Sequence, residues 1–324
     1  MITRTDIAAH LEQQVRTGFF LGLRAYSPLR TPFVQVRPSD GAFETYVDMG
    51  TAPWPVGNAG KPGAGGTDAR TGLPIVNKTS AGGAVQVMGG QEKGLLVYNV
   101  DWEVTVGVTH NAIDDDRAGD LETWARGAGV NFEKHKDFLA FDALNDGAAT
   151  ASYGACYDTL SFFNDAHIDP GAEYVTGQDN NYALALSLDN FETVKVAAAK
   201  FLNDRGQPVG LNHNLLIVPP DLERIASQIA TNREAYDTAN REINPYAGSV
   251  SFLVAPGGWL DSSAWFLLDS SQAQKPLGFQ ERKPPELKIW DDESQGDGGH
   301  RYFKWHARYS VFYGDWRLAA MGNT

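Results

Sequence analysis

Little in this sequence is available for covalent or catalytic chemistry. One cysteine, Cys156, occurs in 324 residues, so no intrachain disulfide can form and a reducing, cytoplasmic setting is the expectation. No run of about 18 apolar residues is present, which argues against a transmembrane helix. Asp6, His10 and Glu12 break up the start of the chain, so no secretory signal is expected there. Positive charge is scarce too, with 27 Lys and Arg against 40 Asp and Glu and a net charge of −13. That balance excludes a protein whose main task is gripping nucleic-acid phosphates, which needs clustered basic side chains. HExxH, HxH, CxxC, GxSxG and GxxxxGK[ST] patterns are all absent.

The rest of the composition is that of a globular protein, with 42% hydrophobic and 21% charged residues, large enough for one sizeable or two coupled domains. Residues 5–18 read as a short amphipathic helix, with Ile7, Leu11 and Val15 at fourfold spacing and Gly18 as its stop. An arm punctuated by Pro28, Pro32 and Pro38 follows, read as extended and dependent on something outside itself for burial. Residues 43–49 and 95–108 alternate like strands. Between them, 51–93 holds ten Gly and four Pro and is read as a projecting hairpin arm.

A long helix is expected over 113–146, where Leu121, Trp124, Ala128, Phe132, His135, Leu139 and Ala143 recur at near 3.6 residues. Gly127 and Gly129 in its middle suggest a bend or close packing. Further helices are expected at 187–204, capped by Ser187 or Asp189, and from Pro220 onward. Strands are expected at 214–220, within 249–259 where a strand runs into a tight turn, and at 264–270. Residues 275–294 read as interrupted by Pro and Gly. In 301–320 the alternation puts Phe303, Trp305, Ala307, Tyr309, Val311 and Tyr313 on a buried face, opposite Lys304, His306, Arg308 and Ser310. The fold class is α+β.

Two segments invite a catalytic reading. His110 with Asp114, Asp115 and Asp116, and His167 with Asp165 and Asp169, could hold a hard metal ion in a hydrolase. The first set equally suits a helix start, where carboxylates favour the macrodipole, and the second suits Asx turns before Pro170. Cys156 lacks a basic neighbour, and Gly57 to Gly66 lacks the helix a phosphate loop needs. A solvated basic face accounts for Lys304 and Arg308 better than nucleic-acid stacking does.

The stretches WEVTVGVTHNAIDDD (102–116), CYDTLSFFNDAHID (156–169), LLIVPPDLE (215–223), AWFLLDSSQAQKPLGFQERKPPEL (264–287) and the final YSVFYGDWRLAAMG resemble, in order, the signatures of the Mu-type phage major head subunit. The resemblance implies the Hong Kong 97 phage major capsid fold, with an N-terminal arm, an extended β-hairpin loop, a long spine helix, and peripheral and axial domains. It places the arm at 1–40, the loop and its stem at 41–108, and a peripheral domain at 109–184 with its spine helix at 113–146. The axial domain falls at 185–290, and a strand returning to the peripheral domain at 291–324. The implied function is a non-enzymatic major capsid protein of a tailed bacteriophage or prophage, built as hexamers and pentamers into an icosahedral shell around double-stranded DNA. Assembly in the bacterial host cytoplasm, a separate scaffolding protein, a portal, a decoration protein and weak contact with DNA come with it; a membrane, metal or cofactor does not. Arg16, Arg24, Arg30, Gly57, Lys61, Gly65, Lys78, Asp114, Asp115 and Asp116 are the expected assembly residues. The alternatives are an encapsulin-like cage of the same fold and a metal-dependent hydrolase.

Overall fold

In a computed structural model the described residues are 4–48, 93–109, 120–168, 177–203, 206, 208–233, 243–292 and 299–323, and they divide into two compact units. The first contains 1–44, 97–144 and 277–312; the second contains 45–96, 145–276 and 313–324.

The first unit is built on a four-stranded sheet in the order β1-β9-β10-β4. Strand β1 (Val34–Pro38) runs parallel to the start of β9 (Leu277–Asp292), with Val34 opposite Leu277 and Pro38 opposite Glu281. Strand β10 (His300–Tyr313) runs antiparallel to β4 (Val100–Thr109), from His300 opposite Thr109 to Tyr309 opposite Val100. The alternation read from the sequence holds: Phe303, Trp305, Ala307, Tyr309 and Val311 are all buried. Against this face lies helix α2 (Asp120–Asn145), burying Ala125, Gly129, Phe132, Lys136, Leu139 and Ala140 at helical spacing.

Two expectations fail here for identifiable reasons. Gly18 does not stop the first helix, since α1 runs over Arg4–Ala25. Its glycines serve contact instead. A Cβ on Gly18 would stand 2.6 Å from the Glu122 carbonyl oxygen and one on Gly22 2.1 Å from that of Arg126, while a Cβ on Gly129 would stand 2.2 Å from that of Phe19. The helices therefore touch backbone to backbone, and the arm finds its burial outside itself, against the rest of its own unit, with Phe19 and Phe33 both 0% exposed. Within 275–294 the described strand β9 runs without a break from Leu277 to Asp292. Because β1 pairs with β9 only as far as Glu281, β9 has an edge free of β1 beyond that point; adjacent residues direct their N–H positions to opposite edges, so one of Pro284 and Pro285 costs no ladder bond there.

Strands β2 (Phe43–Asp48) and β3 (Lys93–Tyr98) pair in a two-stranded sheet of their own. The interval 51–93, read as an arm, lies almost wholly outside the described residues. The single strand read over 95–108 is in fact β3 and β4 joined at Asn99.

The second unit carries a mixed five-stranded sheet, β5-β11-β8-β6-β7, from β5 (Asn181–Tyr182), β6 (Leu215–Val218), β7 (Ser251–Val254), β8 (Trp265–Leu268) and β11 (Ala319–Gly322). Strands β6, β8 and β11 are buried throughout, as continuous apolar runs in a covered sheet should be. Helix α3 spans Leu188–Ala198 with Ser187 as the cap, shorter than expected at its end. Phe201 leaves the helical path to pack edge-on against Trp316, while the Leu202 N–H donates to Gln178 Oε1 at 2.6 Å. A 3-10 turn at Pro220–Leu222 leads into α4 (Glu223–Thr231), so proline opens this helical segment as read.

Candidate functional site

Helix α2 carries two features on one unit: a buried ionic cluster and an open aromatic groove. The cluster forms because Lys136 and Asp137, both at or beside the apolar stripe, are drawn under the sheet. Asp137, 0% exposed, accepts from Tyr26 Oη at 2.8 Å, the Leu29 N–H at 2.7 Å and Arg30 Nη1 at 2.6 Å. Arg30 Nη2 donates to Glu133 at 2.9 Å, and Lys136 Nζ bridges Glu133 at 2.9 Å and Glu281 at 2.8 Å. Burial alone would raise the Glu133 carboxyl, but Lys136 and Arg30 outweigh it and hold it below the usual range. The Tyr26 hydroxyl is pushed up to about 12 by burial and by the Asp137 carboxylate. The cluster thus pins the segment after α1 to the middle of α2.

The groove, of about 570 Å³, opens between α2 and β4, with Trp124, Phe132 and His135 on one wall and Trp102, Val104, Trp305 and Tyr309 on the other. His135 Nδ1 and Tyr309 Oη share a hydrogen bond at 2.8 Å, and the Trp102 indole meets the imidazole edge-on at 4.5 Å. Burial lowers the His135 pKa, which favours the neutral ring in this apolar setting.

The expected assembly residues separate. Arg16 is on the outward face of α1 and pairs with Glu12 at 3.3 Å, an exposed contact worth at most about 0.5 kcal/mol. Arg24 is exposed in the last turn of the same helix. Arg30 is not a surface residue: at 8% exposure it is committed to Glu133 and Asp137 within its own subunit. Gly57, Lys61, Gly65, Lys78, Asp114, Asp115 and Asp116 lie outside the described residues, as do His110 and Asp169.

At His167 and Cys156 the catalytic readings lose their chemistry. His167 is fully buried, with Nδ1 2.5 Å from Asp158 Oδ2, Nε2 3.3 Å from the Phe162 carbonyl oxygen, and its ring stacked on Trp316 at 4.3 Å. Both nitrogens already face protein oxygens, leaving none for a metal. The buried Cys156 thiol donates to the Gly314 carbonyl at 3.3 Å, and burial pushes its pKa up, opposite to what a nucleophile needs. On β10 the basic face is paired by β4: Lys304 with Glu103, and Arg308 with Asp101 at 2.5 Å. These side chains are not a free nucleic-acid surface.

His213 in the second unit gives a pH-dependent prediction. Its Nε2–H donates to the Arg317 carbonyl at 3.0 Å, and burial lowers its pKa from 6.5 to about 4. The folded state resists the proton that the unfolded chain accepts, so stability falls as pH drops below the unfolded value and levels off below about 4. The loss reaches about 3 kcal/mol. His213→Gln retains an N–H donor and should remove that part of the slope in urea unfolding between pH 7 and 4.5. Equal pH dependence in the two proteins would refute the assignment.

The same fold occurs in solved bacteriophage capsids. The procapsid of bacteriophage JBD30 matches at 22% identity and a TM-score of 0.52, over 100% of this chain and 76% of that one. The capsid of cyanophage P-SCSP1u matches at 8% identity and a TM-score of 0.56, over 92% and 88%. Mycobacterium phage Patience matches at 9% identity and a TM-score of 0.53, over 100% and 90%. The class is therefore the major capsid fold of the Hong Kong 97 type. The chain belongs to the family of the Mu-like prophage major head subunit gpT, whose model matches residues 82–185, 180–260 and 257–323. It is a structural capsid protein of a tailed phage or prophage, part of the virion shell and not an enzyme, and the match favours this over a cargo-enclosing cage. No curated protein sequence matches. Among the described residues no helix is long and apolar enough to cross a membrane.

Sequence reasoning missed the groove and the cluster. Lys136 was the available signal: four residues after Phe132, it is a charge inside an apolar stripe and so had to be paired.

Proposed function

We propose that many copies of this subunit assemble as hexamers and pentamers into an icosahedral shell around double-stranded DNA, in the cytoplasm of the bacterial host. A separate scaffolding protein and a portal take part, and a decoration protein binds outside. One JBD30 capsid of this fold is described as decorated with minor capsid protein trimers. In this reading 1–40 serves as the arm, 41–108 as the loop and stem, 109–184 as the peripheral domain with its spine at 113–146, 185–290 as the axial domain, and 291–324 as the strand returning to the peripheral domain. The observation that carries the reading is apolar exposure on the first unit, where Phe20, Val36, Tyr98, Val104 and Trp124 are each more than 40% exposed. Isolated apolar side chains at a surface are ordinary, whereas this many on one unit fits contacts with neighbours. On α1 the outward residues Arg16, Phe20, Leu21 and Arg24 would meet another subunit, while the opposite side is held on α2. Such contacts are heterologous, and the angle between copies decides closure. With a net charge of −13 the protein would touch DNA weakly.

Deleting 51–93 tests the reading. The shortened chain should remain a folded, helical monomer by circular dichroism and form no shells by electron microscopy. Global unfolding would make the segment part of the core, and normal shells would remove it from assembly.

A further inference from the structure

We propose that the groove between α2 and β4 receives the Phe43 and Tyr98 rings of a neighbouring copy of this chain. The inference rests on the shell reading above and supplies a donor and an acceptor for one of its contacts.

The acceptor is an apolar sheet face wider than the helix covering it. Val100 lies opposite Tyr309 and Val104 opposite Trp305, so all four side chains share one face. Yet Tyr309 and Trp305 are 0% exposed, while Val100 is 43% and Val104 50% exposed. Helix α2 covers β10 and leaves β4 open, with Trp124, itself 41% exposed, as the facing wall. Among the lining positions Glu103 and His135 are the titratable residues: the Glu103 carboxylate is taken by Lys304, and burial favours the neutral ring of His135. A copy of the same chain, also at −13, gains no net attraction at a distance, so burial of apolar surface has to drive this contact.

The donor stands at the root of the two-stranded sheet. Phe43 and Tyr98 meet at a tilt of 56° with ring centroids 5.8 Å apart and are 50% and 62% exposed. A two-stranded sheet is marginal in water alone, so this ring pair needs a cover. Its own groove cannot supply one. Tyr98 is separated from β4 only by Asn99, whose side-chain amide donates to Ser39 Oγ and the Gly41 carbonyl, each at 2.9 Å. Along an extended chain at about 3.3 Å per residue, Tyr98 is held roughly 20 Å from Val104. The rings of one copy therefore fit the groove of another, and repetition of that head-to-tail contact links a ring of subunits.

A double variant, Tyr98→Cys with Val104→Cys, tests this with a short bismaleimide, because native Cys156 is 3% exposed and silent. The expected result is a ladder of cross-linked multimers from assembled particles, and none from either single variant. Particles that assemble but stay unlinked, or a link closed within one chain, overturn the docking and leave the shell reading standing. Failure of the wild type to form any particle overturns both. Val104→Glu provides a second arm: the monomer should keep its circular dichroism spectrum and lose assembly, and shells at wild-type yield would contradict the proposal.

Discussion

Gly22→Ala is expected to destabilise the subunit and loosen α1, although helix propensity alone predicts the reverse. In an exposed helix interior alanine is better than glycine by about 1 kcal/mol. Here the new Cβ would stand 2.1 Å from the Arg126 carbonyl oxygen and 2.9 Å from its carbon, both backbone atoms that no rotamer change can move. Carbon contacts are most favourable at about 3.5–4.0 Å, so the helices must part by more than 1 Å. That shift would loosen Phe19, which meets Phe132 and Trp305 at centroid distances of 6.0 and 5.7 Å. Overpacking of this kind costs about 1–3 kcal/mol, which exceeds the propensity gain. Gly127→Ala is the control: nothing lies within 4 Å of its Cβ, so it should be neutral or stabilising. Urea midpoints together with protease cleavage before residue 30 distinguish the two, and Gly22→Ala as stable as Gly127→Ala would refute backbone contact.

Asp137→Ala is expected to cost more. The carboxylate is the common acceptor of Tyr26 Oη, the Leu29 N–H and the Arg30 guanidinium, and its removal leaves a buried cation with Glu133 as its remaining partner. Breaking one side of a buried ion pair costs about 3–5 kcal/mol, because the stranded charge keeps its desolvation penalty. Against a typical total of about 5–15 kcal/mol, the first unit should melt early or fail to accumulate. Asp137→Asn, which retains an oxygen acceptor, should lose less. A change under about 1 kcal/mol for the alanine variant would place these groups in solvent-like surroundings.

The elements that could be read from the sequence are those whose signal is local. Strand β10 writes its burial in strict alternation, α2 in its apolar spacing, and Ser187 caps α3 as its type and position suggest. What escaped depended on distant partners. Gly18 looks like a helix stop until Glu122 is known to lie against it. Pro284 and Pro285 look like a break until β9 is seen to run through them, past the point where β1 ends its pairing at Glu281. Arg30 reads as surface charge because its acceptors, Glu133 and Asp137, lie more than a hundred residues away. The groove draws on β4, α2 and β10 together, and no single window of sequence contains it. Family membership came from ordered strings of residues, which carry a fold across distances that local physics does not reach.

Electron microscopy of the full-length chain, expressed with and without a scaffolding protein, tests the central claim most directly. The account predicts closed shells, with hexameric and pentameric clusters of subunits, under at least one of the two conditions. Fields of dispersed monomers under both, from protein folded by circular dichroism, would contradict it.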